Sequence, residues 1–260
     1  MGRPRLLLTE VRDGVLRVTI NRPEKRNALS RAVLHELRET FTTTTDDTRL
    51  LAAVLRGAGD KCFAAGGDLR DLGNVRTRRQ TAEMTAQARA ALDAIRCFPL
   101  PVVAALNGDA LGGGAELAVA CDFRVLAAHA RIGFIHGRLN IATAWGGGID
   151  ALQLLGTATG LRLLSRAELL DAATALTTGL ADAVAKPGED LDDALQRFLE
   201  PLLRQAPQVL RAFKALALQT RLARPRKELV DLETKLFSDT WVHPDHWAAA
   251  DEILEPGGKS

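Results

Sequence analysis

The sequence predicts an α/β fold in which a mostly parallel sheet is wrapped by helices and followed by a helical C-terminal region. Short apolar runs, of the length typical of strands buried on both faces, alternate with segments of helical periodicity. This alternation requires crossover connections and therefore favours a parallel sheet. Beyond residue 190 the helical pattern is almost uninterrupted, which predicts the helical C-terminal region.

The first sixty residues predict a hairpin, a helix and a buried strand. An Asp-Gly turn between alternating residues predicts a hairpin over Val11 to Ile20. Ser30 is the expected N-cap of a helix that ends near Thr42, because apolar residues follow it at helical spacing. Leu50 to Leu55 is an apolar run closed by glycine, so it predicts a strand buried on both faces.

The middle of the chain repeats a buried strand, a glycine-rich or polar loop and a helix. Prolines stop one of these helices, and Gly179 ends the last. The predicted elements are a helix from about Arg79 to Ile95, a strand over Val102 to Leu106, a helix over Gly112 to Ala120, a strand over Phe123 to Leu126, and helical segments from Ile149 to Leu176.

The clearest linker is the polar stretch from Lys186 to Asp190, which predicts a division into residues 1–185 and a helical part, residues 186–260. The helical tail carries more apolar residues, among them Trp241 and Trp247, than a thin pair of helices would bury alone. Packing on the main body of the chain or on another subunit would cover them, and the sequence leaves both interpretations open.

The composition excludes several classes of function. Hydrophobic residues make up 47% and charged residues 25%, so the chain is expected to be compact rather than disordered. The net charge is +2 and the charges are interspersed, which argues against nucleic-acid binding. The arginines at Arg76, Arg78 and Arg79 form a solvated face or, alternatively, an anion site.

The compartment is predicted to be cytoplasmic. Leu6 to Leu8 is the only apolar run near the N-terminus and is far too short for a signal sequence or a membrane span. Cys62, Cys97 and Cys121 are odd in number and widely spaced, so we expect reduced packing residues rather than disulfides or a zinc site. No metal-binding or prosthetic-group motif is found.

Two glycine-rich loops, Phe63 to Leu69 and Asn107 to Glu116, each follow a predicted buried strand. In the second loop three glycines open a helix, whose first N–H groups lack intrahelical acceptors and whose dipole favours negative charge. Such a turn suits an anion or a developing oxyanion, although close packing of helix and strand would also explain the glycines. The spacing fits neither a dinucleotide-binding loop nor a P-loop.

Four segments together resemble the crotonase (enoyl-CoA hydratase/isomerase) family. They are Asn21 to Leu29, Phe63 to Leu69, Asn107 to Asp122 and Gly179 to Asp182, and the resemblance runs in order from about Val15 to Val184. It implies a spiral of ββα turns with a C-terminal helical region, assembled as a homotrimer or a dimer of trimers. It also implies an acyl-CoA substrate, with CoA entering as part of the substrate thioester and no separate cofactor.

The resemblance assigns the backbone N–H groups of Gly67 and Gly113 to an oxyanion hole for a thioester enolate. Gly67 departs from the more usual alanine, but only its N–H is required, so this role survives. Two such donors strengthen as charge builds on the thioester oxygen and contribute about 3 to 4 kcal/mol each. By the same transfer, the CoA would lie along Arg26, Ala28, Ala64, Asp68 and Leu69.

The reaction depends on two further positions. Glu116 matches the first glutamate of the family's hydratases, but His136 stands where the second is expected. An imidazole is a competent base near neutral pH, so hydration is weakened rather than excluded, whereas bond-shifting isomerisation is disfavoured more strongly. His136 has an alternative interpretation as a buried structural histidine bonded to the backbone.

Local resemblance favours decarboxylation. The stretch His136 to Gly148, which contains Trp145, is similar to the family's subgroup that decarboxylates short alkylmalonyl-CoA esters; so are Ala120 to Arg124 and the tail around Leu236 and Phe237. His136 could position the leaving carboxylate or supply a proton, and an ionised Glu116 would repel that carboxylate. The preferred function is therefore a short alkylmalonyl-CoA decarboxylase. The alternatives are an enoyl-CoA hydratase that uses Glu116, and a non-catalytic RNA-binding or interaction protein.

Overall fold

The computed structural model of the protein describes residues 5–254. Ten strands are found in this part of the chain. They are β1 (Leu7–Arg12), β2 (Val15–Ile20), β3 (Ala52–Gly57), β4 (Cys62–Ala64), β5 (Val102–Leu106), β6 (Asp109–Leu111), β7 (Phe123–Leu126), β8 (Arg131–Gly133), β9 (Leu170–Asp171) and β10 (Ala183–Val184).

Nine α-helices accompany these strands within the described range. They are α1 (Arg31–Thr43), α2 (Arg78–Arg96), α3 (Gly113–Ala120), α4 (Gly147–Ser165), α5 (Ala172–Thr177), α6 (Leu191–Leu203), α7 (Pro207–Arg221), α8 (Arg226–Trp241) and α9 (Pro244–Leu254).

The strands form two sheets, with the order β1-β2-β3-β5-β7-β10 in the first and β4-β6-β8-β9 in the second. From β2 to β10 the first sheet is parallel, and only the β1–β2 hairpin is antiparallel. In the second sheet β4, β6 and β8 run parallel. The predicted α/β fold with a mostly parallel sheet is confirmed.

Successive chain segments repeat one unit: a strand in the first sheet, a strand in the second sheet and then a helix. Strands β3 and β4 precede α2, β5 and β6 precede α3, and β7 and β8 precede α4. The predicted spiral of ββα turns is therefore confirmed. Every turn places a loop after a strand of the second sheet, and the glycine-rich loops lie at or next to these points.

Local signals in the sequence gave accurate predictions at several elements. The hairpin turn has Asp13 at φ 52° and Gly14 at φ 73°, the left-handed geometry that an Asp-Gly pair tolerates. The Ser30 hydroxyl accepts a hydrogen bond from the Val33 N–H at 3.3 Å, as expected of an N-cap. Of the three cysteines, Cys62 and Cys121 are buried as expected, whereas Cys97 is exposed at the end of α2.

The chain divides into two compact units at Leu203 and Arg204, later than the linker at residues 186–190 suggested. Helix α6 belongs to the first unit because it packs on the first sheet: the rings of Phe123 and Phe198 lie 5.3 Å apart. Arg56 also pairs with Asp192 on this helix at 2.7 Å. The predicted linker is a turn at the surface of the first unit, with Gly188 at φ 80°.

The second unit consists of α7, α8 and α9. Three of its aromatic residues contact one another: Trp241 lies 5.3 Å from Phe237 and 5.8 Å from Trp247, between ring centroids. These three side chains remain 45 to 60% exposed, so the contacts alone do not bury the apolar surface of the helical tail. Within residues 5–254, the structure contains no helix that is both long and apolar enough to span a membrane.

Candidate active site

The first of the four family-like segments is bonded along its backbone to the first glycine-rich loop. The Leu29 N–H donates to the Gly66 carbonyl at 2.8 Å, and the Asp68 N–H donates to the Leu29 carbonyl at 3.0 Å. A third bond joins the Ala65 N–H to the Arg26 carbonyl at 3.1 Å. The first family-like segment and the first glycine-rich loop are therefore joined into one rigid wall. In this wall the Gly67 N–H lies between two hydrogen-bonded residues.

A buried ion pair reinforces this wall. The Arg22 guanidinium donates to the Asp68 carboxylate at 2.8 Å and to the Ala28 carbonyl, and both charged side chains are buried. The other carboxylate oxygen accepts the Arg70 N–H at 3.1 Å. Burial raises the pKa of Asp68, but the bonds from Arg22 and the loop N–H groups outweigh it and lower the pKa overall. The carboxylate is therefore ionised and holds the turn that follows Gly67.

The second glycine-rich loop ends where α3 begins. Gly112 has φ 54° and ψ −118°, a conformation that favours glycine, and its N–H donates to the Gly133 carbonyl at 2.9 Å. A side chain on Gly114 would collide with the Ala64 carbonyl, so close helix–strand packing explains that glycine. The adjacent Gly113 is the first residue of the helix, and its N–H has no intrahelical acceptor.

The two glycine-rich loops abut. A methyl group on Gly66 would lie 2.9 Å from the Leu111 carbonyl oxygen and 3.3 Å from the Gly113 nitrogen. Neither the Gly67 N–H nor the Gly113 N–H donates to any of residues 5–254. The structure thus brings together the two predicted oxyanion donors and leaves both able to bind an external acceptor.

Glu116 lies one turn into α3 and is almost completely buried, with 1% of its surface exposed. Its carboxylate accepts the Trp145 N–H at 3.1 Å and the Ala144 N–H at 3.2 Å. Burial raises the pKa of Glu116 to about 7, although the two backbone N–H donors oppose the shift. The side chain is therefore partly protonated near neutral pH and can act as either a proton donor or a base.

Replacing Glu116 with glutamine is expected to remove part of the pH dependence of stability. The folded-state pKa lies above the ordinary value of 4.5, so the contribution of Glu116 is full below pH 4.5 and is lost as the pH rises through about 7. From about pH 5 to about pH 8 the wild type should lose about 2 to 3 kcal/mol relative to E116Q. Urea unfolding of both proteins at the two pH values measures this difference, and an unchanged difference would contradict the raised pKa.

A second buried ion pair supports the segment that binds Glu116. Arg96, on α2, donates to the Asp150 carboxylate at 2.7 Å and to the Trp145 carbonyl at 3.1 Å. A side chain on Gly147 would collide with Glu116, so the start of α4 lies directly against α3. These contacts fix the position of the peptide groups on both sides of Trp145.

His136 lies beside the start of α3. A methyl group on Gly112 would be 3.9 Å from its Nε2 atom, and its ring stacks on Phe134 with centroids 6.4 Å apart. The Nδ1 atom is buried and has no hydrogen-bond partner among the described residues. Burial lowers the pKa of His136, so the imidazole is neutral near pH 7. The structural interpretation, a histidine bonded to the backbone, does not match this arrangement.

The five residues expected along the CoA fall into two groups. Arg26 and Leu69 are exposed and Ala28 is half-buried, so these three are accessible to a ligand beside the loops. Ala64 and Asp68 are buried, and the Asp68 carboxylate is already bonded to Arg22. Their contribution is to hold the loop in place.

Sequence reasoning missed the two ion pairs behind the site. Arg22 and Asp68 are 46 residues apart and Arg96 and Asp150 are 54 apart, so no local pattern links them. One indication was available for Arg96: it follows Leu92 and Ile95 on the apolar side of α2, where a charge requires a partner.

Comparison with known proteins agrees with the fold. A family model described as enoyl-CoA hydratase/isomerase matches residues 10–255. A crotonyl-CoA hydratase of Syntrophomonas wolfei is 34% identical over 198 residues, which cover 76% of this chain and 75% of that protein. An ethylmalonyl-CoA decarboxylase of Bos taurus is 31% identical over 210 residues, covering 80% and 68%. A crystal structure of an enoyl-CoA hydratase of Mycobacterium smegmatis superimposes with a TM-score of 0.90 at 26% identity and covers 97% of each chain.

The ββα spiral and the two adjoining glycine-rich loops define the class as crotonase-fold enzymes. The chain belongs to the enoyl-CoA hydratase/isomerase family.

Proposed function

We propose that the protein decarboxylates a short alkylmalonyl-CoA. The observation that carries this proposal is His136, whose buried Nδ1 has no partner among residues 5–254 and whose ring lies beside the Gly112–Gly113 turn. With no acceptor at Nδ1, the neutral ring is expected to carry its proton on Nε2, the nitrogen that lies beside the turn, where it can donate to a ligand. The similarity to ethylmalonyl-CoA decarboxylases supports a carboxylate as that ligand.

In the proposed reaction, the thioester oxygen accepts hydrogen bonds from the Gly67 and Gly113 N–H groups. The bond between C2 and the carboxylate breaks, CO2 leaves, and the electron pair moves into the thioester to form an enolate. The two N–H donors bind the thioester oxygen more strongly in the enolate-like transition state than in the ground state, which accelerates the step. No base is needed for this step, and a proton donor is needed only when C2 of the enolate is protonated.

His136 and Glu116 have separate roles in this mechanism. The neutral imidazole of His136 donates a hydrogen bond that holds the leaving carboxylate out of the plane of the thioester. Glu116, with a pKa of about 7, is partly protonated at neutral pH, and the protonated form does not repel the carboxylate. In that form it can deliver the proton to C2, because its pKa lies near the working pH.

Hydration of a short 2-enoyl-CoA is the second candidate. It is favoured by Glu116, which occupies the first glutamate position, and by the similarity to a crotonyl-CoA hydratase. Hydration requires an ionised Glu116 that can reach a water molecule. His136 stands where the second glutamate of the family's hydratases is expected, so the pair of glutamates that positions water is incomplete, which is why decarboxylation is preferred.

A comparison of two substrates tests the proposal. Purified protein is given ethylmalonyl-CoA and crotonyl-CoA separately, and kcat/KM is measured for CO2 release and for hydration. We expect kcat/KM for decarboxylation to exceed that for hydration by about a hundredfold or more, equivalent to about 3 kcal/mol of transition-state stabilisation. Efficient hydration without CO2 release would overturn the proposal in favour of the second candidate.

We also propose that the enzyme is a cytoplasmic homotrimer or dimer of trimers and needs no cofactor beyond the CoA of its substrate, as the family resemblance implies. The site described above lies within the first unit.

A further inference from the structure

We infer that Trp145 limits the enzyme to acyl groups with short chains. The inference rests on the thioester being bound between Gly67 and Gly113, as in the proposed function, but it does not depend on which reaction follows. The sequence left the residues that line the acyl pocket unplaced, and the structure places Trp145 against both glycines.

The six-membered ring of the indole spans the two loops. A Cβ atom built on Gly113 would collide with Trp145 Cζ3 and would lie 2.8 Å from Cη2. A Cβ atom built on Gly67 would lie 3.5 Å from Cη2 and 3.6 Å from Cζ2 of the same ring. One edge of the indole therefore faces both oxyanion glycines, and its Cη2 atom lies close to each of them.

The ring is held firmly in this position. The backbone N–H of Trp145 donates to Glu116 at 3.1 Å, and the backbone carbonyl of Trp145 accepts from Arg96 at 3.1 Å. Only 6% of the residue is exposed, so its side chain is closely packed. The two bonds fix the backbone from which the ring projects, and close packing restricts rotation of the ring itself, so we expect it to act as a fixed wall.

Two consequences follow for a bound thioester. A flat apolar edge beside the donors keeps water away from the developing oxyanion, which strengthens the two hydrogen bonds. The same edge occupies volume next to the thioester carbonyl group. A long acyl chain that extends into this volume would overlap sterically with the indole. In a hydrophobic pocket each additional methylene that does not fit costs about 1 to 3 kcal/mol, so chain length should be discriminated strongly.

Gly67 is consistent with this wall. At this position the family resemblance predicts alanine, whose methyl group would lie 3.0 Å from Leu72 Cδ1 while also touching the indole. The glycine keeps the donor N–H and relieves this crowding between Leu72 and Trp145.

Binding of saturated acyl-CoAs tests the inference without requiring any reaction. Dissociation constants for butyryl-, hexanoyl- and octanoyl-CoA are measured by calorimetry with the wild type, W145F and W145A. The wild type should prefer butyryl-CoA over octanoyl-CoA, and W145A should shift the ratio of the two constants by about tenfold or more towards octanoyl-CoA. W145F should show a smaller shift in the same direction. W247A, the same truncation in the second unit, should retain the wild-type profile.

An unchanged chain-length profile in W145A would overturn the inference; if W145A does not fold, an unchanged profile in W145F would do so. The outcome is separate from that of the proposed function. Failure of the wild type to release CO2 from ethylmalonyl-CoA would overturn the decarboxylase assignment, whereas a shifted binding profile would still support the role of Trp145.

Discussion

Replacing Gly113 with proline is expected to lower kcat by roughly 10²–10³-fold, because proline has no N–H to donate to the oxyanion. The backbone tolerates proline at the first residue of a helix, so α3 should still form. The loss should appear mainly in kcat rather than in KM, since the hydrogen bond strengthens in the transition state. Steady-state kinetics with ethylmalonyl-CoA and with crotonyl-CoA measure this effect for either reaction.

The control has to separate the lost N–H from a steric effect. Any Cβ atom at position 113 collides with the Trp145 ring, so G113A is also expected to be impaired although it retains the N–H. Both substitutions are therefore repeated in the W145A background, where the collision is absent. There G113A should recover activity relative to the single variant, and G113P should not. Equal activities of G113A/W145A and G113P/W145A would contradict the oxyanion role of Gly113.

Replacing His136 with phenylalanine is expected to lower kcat/KM for decarboxylation by about ten- to a hundredfold. A hydrogen bond to a charged group is worth about 1.5 to 3 kcal/mol, and phenylalanine cannot donate one to the leaving carboxylate. H136Q keeps an N–H donor and should recover part of the activity. Kinetics with ethylmalonyl-CoA, compared across the three proteins, provide the measurement.

The same variants distinguish a functional histidine from a structural one. In the wild type the buried Nδ1 has no partner among the described residues, so H136F should not lower the free energy of unfolding and could raise it. Chemical denaturation of the wild type and H136F measures this quantity. A clear loss of stability together with unchanged kcat/KM would mean that His136 supports the fold rather than the reaction.

Much of the fold could be predicted because its signals are local. The Asp-Gly turn, the Ser30 cap and the helix that opens with glycines each depend on residues a few positions apart, and the structure contains all three. The residue pattern alone did not locate the strands of the second sheet, because they are only two or three residues long. Such segments are too short to show the alternation that indicates a strand.

The compact units divide at Leu203 and Arg204 rather than within the predicted linker for a related reason. A polar, glycine-containing stretch at residues 186–190 resembles a linker, but the attachment of α6 to the first sheet depends on tertiary contacts such as that between Phe123 and Phe198. The kink in α4 at Gly156, with φ 75° and ψ 160°, was likewise not predicted, although an isolated glycine in a helical pattern is a weak indication of one.

The predicted catalytic residues followed from motif spacing and family resemblance, but their environment did not. Glu116 could be located in the sequence, whereas its burial and its bonds to Ala144 and Trp145 arise from the approach of α4 to α3. The position of the Trp145 ring against Gly67 and Gly113 similarly depends on Arg96 and Asp150, which are far apart along the chain. The resemblance gives the residues, and long-range packing determines their pKa values and the shape of the pocket.

The most direct test of the proposed decarboxylation is product analysis in D2O. Purified protein is incubated with ethylmalonyl-CoA, and the acyl-CoA product and the released gas are analysed by mass spectrometry, with crotonyl-CoA in a parallel reaction. We predict CO2 and butyryl-CoA that carries deuterium at C2, with little change in the crotonyl-CoA. Crotonyl-CoA that gains the elements of D2O, beside ethylmalonyl-CoA that is recovered intact, would contradict the account and assign the site to hydration.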